Sequence, residues 1–219
     1  MVIMTGRTAR AEQVGMTREA ILRAAEQLFA ENGVFAVSNR RISQAAGQGN
    51  NTAVSYHFGS KVELVRAIVR KHADHIEQLR TRMVAELGAA PELRDWVSCL
   101  VRPSTEHLAS LGERTWFARF GAQVMADPTL REVMLEESFS SPALHQVLQG
   151  MRRCIGDLPD EVLVGRSEMA RQLMVYTCAE REYALATGIR TPWSSWHETG
   201  TALIDAIVGL WLGPVTEQP

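Results

Sequence analysis

Cysteine is scarce in this chain. Cys99, Cys154 and Cys178 are an odd number at wide spacing, which fits neither a disulfide framework nor a Cys-x-x-Cys metal site and points to buried thiols in a reducing compartment. Long hydrophobic runs are missing too. No stretch of 18 uncharged apolar residues occurs, so no membrane span is expected. The opening MVIMTGRTAR lacks the apolar segment of a secretory signal, which points to the cytoplasm. Internal repeats, low-complexity tracts and strand-like alternation are absent. Catalytic signatures are absent as well: there is no Gly-x-Ser-x-Gly elbow and no His-Glu-x-x-His. His72 and His75 stand one helical turn apart, but no Cys/His cluster accompanies them. Neither an enzyme nor a metal or other cofactor is expected.

What the chain does hold is apolar bulk and an uneven charge. Of its 219 residues 46% are hydrophobic and 22% charged, enough for one sizeable core or two small ones. The formal net charge of −2 conceals a split. Through His72 there are ten basic residues against five acidic; from residue 73 onward there are 13 against 20. A basic head on an acidic body suggests a polyanion-binding module joined to a part with another task.

The apolar positions recur at helical spacing almost throughout, and an all-α fold follows. Ile21, Ala24, Ala25, Leu28 and Phe29 place one stripe on a helix from Thr17, as its N-cap, to about Asn32, with Gly33 as C-cap. Ser38 starts a short helix that ends at Ala46-Gly47. Asn50 can cap another, reaching roughly Tyr56, and Ser60-Lys61-Val62-Glu63 reads as a capping box opening a long helix over 61–87. Breakers divide the remainder into helices over 92–111, 114–126, 128–137, 141–154, 159–187 and 194–212. The expected organisation is a head over 1–60 and a larger body over 61–219, joined by the long helix.

Two short helices around a Gly-containing turn, inside a basic three-helix unit, describe a helix-turn-helix. Its second helix, Asn50-Asn51-Thr52-Ala53-Val54-Ser55-Tyr56-His57, carries no acid and is rich in short hydrogen-bonding groups suited to base edges and phosphates. Arg40 and Arg41 open the preceding helix and Lys61 the following one, where cations and backbone amides favour phosphate. Arg7 and Arg10 could reach a groove as a flexible arm or form a solvated tail.

The stretch from Thr17 to Leu64, with TREAILRAAEQLFAENGV, RRISQAAGQGN and AVSYHFGSKVELV, resembles the DNA-binding domain of the TetR (tetracycline-repressor-like) family. Ala46-Gly47 and Tyr56-His57-Phe58 followed by Ser60-Lys61 carry the likeness. The GQGNN turn is one residue longer than usual, and Ser55 stands where a second aromatic is common. The resemblance implies DNA contacts from Thr17, Ser38, Arg40, Asn51, Thr52, Tyr56, His57 and Lys61, with Phe58 in packing. It further implies a homodimer on a palindromic operator of double-stranded DNA, released by a small effector bound in the body. An effector-independent DNA-organising protein is the competing reading.

Trp96, Trp116, Phe117, Phe120, Met125, Met134, Met174 and Tyr176 gather aromatic and thioether groups on the central helices, with Cys178 beside them. Such residues build pockets for hydrophobic ligands, and they also build plain cores. Leu203, Ala206, Ile207, Leu210 and Trp211 make the last helix apolar, and it is expected to pair with its two-fold mate.

Overall fold

The structure, a computed structural model, describes residues 3–50 and 52–215, with side chains from residue 11 onward. Ten α-helices are present among the described residues. They are α1 (Ile3–Asn32), α2 (Asn39–Ala45), α3 (Ala53–Phe58), α4 (Lys61–Ala85), α5 (Leu93–Ser110), α6 (Phe117–Ala126), α7 (Pro128–Phe139), α8 (Pro142–Cys154), α9 (Asp160–Thr187) and α10 (Trp196–Leu212).

Local chemistry sets most of these boundaries. Ser38, Ser60, Asp127, Ser141 and Ser195 each accept a hydrogen bond from the backbone N–H three residues on, at the starts of α2, α4, α7, α8 and α10. Pro128 and Pro142 occupy first helical positions, where a missing N–H costs nothing. Gly188 ends α9 in the left-handed region at φ 72°. The expected start of the first helix at Thr17 is corrected: α1 is continuous from Ile3. Between these residues the chain has no proline, and a single glycine such as Gly15 costs a helix only about 1 kcal/mol.

The apolar faces close two cores. The first joins Ile21, Ala25 and Phe29 of α1, Ile42 of α2, Val54 of α3 and Leu64 and Ile68 of α4, and it continues into Phe120 and Val124 of α6 and Leu130 and Val133 of α7. The second joins Trp96, Val97 and Val101 of α5 to Val147 and Met151 of α8 and to Leu203, Ile207 and Trp211 of α10. Phe117 packs against both. Long α4 passes from one to the other. Arg66 and Arg70 bind it to α7 through Glu137, at 2.8 and 2.7 Å. Burial alone would raise the Glu137 carboxyl, but the two arginines outweigh it and hold the group below its ordinary value.

The face of α10 differs from expectation. Leu203, Ile207 and Trp211 are buried within the protomer, against α5, and so are unavailable to a second chain; Ala206 is exposed and Leu210 half-buried. No helix among the described residues is long and apolar enough to cross a membrane.

Candidate nucleic-acid interface

The helix-turn-helix is built from α2 and α3, backed by α1 and leading into α4. Asn50 organises the turn. Its Oδ1 accepts from the Thr52 N–H at 2.9 Å and from the Thr52 hydroxyl at 2.7 Å, so it begins the third helix from two residues upstream. Asn39 Nδ2 reaches the Ser55 hydroxyl at 3.4 Å and ties α2 to α3. Val54 and Phe58 point into the core, leaving the opposite face of this short helix to solvent.

That face carries four of the eleven expected contacts. Thr52, Ser55 and Tyr56 are exposed, Tyr56 at 80%, and His57 is half-buried with its ring edge-on to Tyr56. Ser38, Arg40, Arg41 and Asn50 are also exposed, and Thr17 is half-buried. Asn51 lies outside the described residues, as do the side chains of Arg7 and Arg10. No acidic residue occurs between Glu31 and Glu63, so the whole turn-and-helix unit presents no charge that would repel phosphate.

Lys61 is placed differently from its expected role. Its ammonium donates to the carbonyls of Val34, at 3.2 Å, and Val37, at 2.6 Å, closing the α1–α2 connection. Burial holds its pKa below the ordinary lysine value. The Lys61 ammonium is thus engaged within the protomer, while Ser60 caps the start of α4 by accepting from the Glu63 N–H at 3.1 Å. Arg18 is a positioning residue that the sequence pattern did not single out. Its guanidinium lies 4.2 Å from the centre of the Phe58 ring and donates to the His57 carbonyl at 3.0 Å, pinning the C-terminus of α3 to α1. The two partners are 39 positions apart, and no local signal marks the pair.

The nine residues expected around a ligand do not form one pocket. Trp96 and Cys178 belong to the second core, with Met174 and Phe117 packed against it. Phe120 belongs to the first core, which Trp116 and Met134 border. Tyr176 is exposed and, with Met125, lines an open cleft of about 210 Å³ that Arg131, Arg171 and Gln172 make polar. Burial raises the thiols of Cys99, to about 11, and Cys178, to about 12, so neither carries thiolate at neutral pH. Cys154 is exposed. Among the described residues, no three His, Cys, Asp or Glu side chains are placed to hold a metal ion.

Residues 21–68 match the family model of the bacterial regulatory proteins, tetR family. The HTH-type transcriptional repressor AcnR of Corynebacterium diphtheriae is 28% identical over 91 residues, covering 39% of this chain and 47% of that protein, about half its length. AcnR of Corynebacterium glutamicum is 27% identical over 162 residues, 67% of this chain and 73% of that protein. Among solved structures, Mycobacterium smegmatis AmtR superposes with a TM-score of 0.58 over 87% of this chain and 85% of its own, at 19% identity, a likeness of fold.

Proposed function

We propose that this chain, a member of the tetR family of transcriptional regulators, represses transcription as a homodimer on a palindromic operator and leaves it when a small hydrophobic effector binds the body. The observation that carries the DNA-binding part is the exposed, acid-free face of Thr52, Ser55 and Tyr56. Arg40 and Arg41 stand at the start of α2 as phosphate partners. Two heads related by a dyad would meet successive major grooves about 34–36 Å apart.

Selection of bound duplexes from random DNA, followed by binding at several salt concentrations, tests this directly. A repeated inverted sequence is expected. Its log–log salt slope should be about −5 if the two heads together neutralise some six phosphates. Tyr56→Ala is expected to weaken binding about 5-fold or more, since a good contact at a base contributes about 1–3 kcal/mol. No enriched sequence, or a flat salt response, would refute the proposal.

The dimer contact is assigned to α9, with Ala206 and Leu210 of α10 beside it. Met169, Leu173, Tyr176 and Tyr183 are exposed apolar residues at helical spacing on α9. The double substitution Met169→Arg with Leu173→Arg is expected to leave helix content unchanged and to yield the 24.3 kDa monomer in sedimentation. Persistence of the dimer would move the interface elsewhere. The effector's place is proposed in the body, beside the second core that contains Trp96 and Cys178 and has Phe117, Met174 and the α4 residues Met83 and Val84 packed against it.

A further inference from the structure

A chain of buried polar groups joins the head to the body. Glu26 of α1 lies 3.0 Å from Nε2 of His72 on α4, and Nδ1 of His72 lies 2.7 Å from Nε2 of His107 on α5. All three residues are at most 7% exposed, and the Phe117 ring of α6 stacks on His72 at 3.8 Å. Four helices thus converge on one line of hydrogen bonds.

With both imidazoles neutral, the proton positions follow from donors and acceptors. The Glu26 carboxylate accepts, so His72 carries its proton on Nε2 and offers the Nδ1 lone pair. His107 must then donate from Nε2, which leaves its own Nδ1 unprotonated. That nitrogen is buried and has no hydrogen-bond partner among the described residues. A second proton on His107 could go only there, where nothing accepts it.

The surroundings make that proton costly. Glu26 faces the line from α1, beyond His72. His72 and His75 face His107 from α4, the His75 ring centred 5.0 Å away. Lys71, next to His72, is paired with Glu19 of α1 at 3.2 Å, and from α6 the uncharged Phe117 ring packs against both histidines. Desolvation first, then the two neighbouring histidines, lower His107 to about 4.

We propose that the Glu26–His72–His107 line is a proton-sensitive latch: closed, it holds α4 against α1 and α5 in the geometry that binds DNA, and a proton on His107 opens it. The latch rests on the DNA-binding reading above. Its sign follows from linkage. An open latch exposes His107 to water and takes up a proton below pH 6.5, whereas the closed one does so only below about 4. Closure is unaffected above pH 6.5 and is progressively lost between those values, by up to about 30-fold at pH 5.

The test uses the whole protein and a duplex selected from random DNA at pH 7.5. Ring ¹⁵N spectra of the free protein should show the Nε2–H tautomer for both His72 and His107. His107 should titrate at lower pH in the duplex complex than in the free protein, because coupling between proton and DNA is reciprocal. His107→Gln keeps a donor at the Nε2 position and cannot take the proton. Its affinity for the duplex should fall less between pH 7.5 and 5.0 than that of the unaltered protein. An ordinary His107 titration near 6.5 that DNA does not move, or an identical pH loss in His107→Gln, would overturn the latch. If the variant does not fold, the two wild-type titrations decide. Failure to select any duplex sinks the DNA-binding reading itself, whereas a selected duplex with unmoved His107 sinks only the latch.

Discussion

Glu182→Ala is expected to lower the unfolding free energy by about 3–5 kcal/mol, the range for removing one partner of a buried charged network. Glu182 is 1% exposed on α9 and replaces a local cap for α6, whose first turn has none of its own. Its carboxylate accepts from the backbone N–H groups of Ala118 (3.2 Å) and Arg119 (2.9 Å), from the Thr115 hydroxyl (2.6 Å) and from Arg119 Nε (3.2 Å). Alanine strands all four donors, two of them at the positive end of a helix. For a chain of this size the loss corresponds to a fall of roughly 10 °C in melting temperature. Glu182→Gln, which keeps the shape and one acceptor oxygen, should lose less. Equal melting temperatures for Glu182→Ala and the unaltered protein would contradict this account of the α6 start.

Gly150→Ala should be nearly as damaging. A Cβ built on Gly150 of α8 would stand 2.2 Å from two ring atoms of Trp96 on α5 and 2.6 Å from a third. The indole is itself buried, 9% exposed, and cannot swing aside without dismantling the second core. Overpacking of this kind costs about 1–3 kcal/mol, and the upper end applies here because the clash is with a buried ring. The discriminating measurement is a double-mutant cycle by denaturant unfolding. Trp96→Leu is costly alone, but adding Gly150→Ala to it should cost well under about 1 kcal/mol more, because the clashing ring is gone. Additive losses would show that the glycine matters for another reason.

These two sites mark where sequence reading stops. Helix starts such as those at Ser38 and Ser60 are read from the sequence because the cap and the amide it serves are three residues apart. The start of α6 is expected at 114 and found at Phe117, because its cap comes from Glu182, far along the chain. The exposed face of α3 is legible for the same local reasons, in the alternation of buried Val54 and Phe58 with exposed Ser55 and Tyr56. Lys61 is the counter-example. Its position suggests a phosphate contact, while its ammonium serves carbonyls 24 and 27 residues earlier. The last helix fails differently. Leu203, Ile204, Ile207, Val208, Leu210, Trp211 and Leu212 leave it apolar on nearly every side, so periodicity cannot tell which side meets α5. Leu173, Met174, Tyr176 and Cys178 on α9 pose the same ambiguity, and only the packed structure separates inside from outside.

The first core has a consequence for how such a protein can be altered or can diverge. Phe29 of α1 stacks on Phe120 of α6 with ring centres 6.3 Å apart, and Val124, Leu130 and Val133 complete the same apolar cluster as the helix-turn-helix. A graft that exchanged residues 1–60 for those of a relative would therefore cut through a shared interior rather than a seam. Recombination of heads and bodies should succeed only when the α6–α7 surface travels with the head or already matches it. Under the proposed DNA-binding role, operator preference can drift at exposed Thr52, Ser55 and Tyr56, while wholesale replacement of the head is constrained by the partners it keeps in α6 and α7.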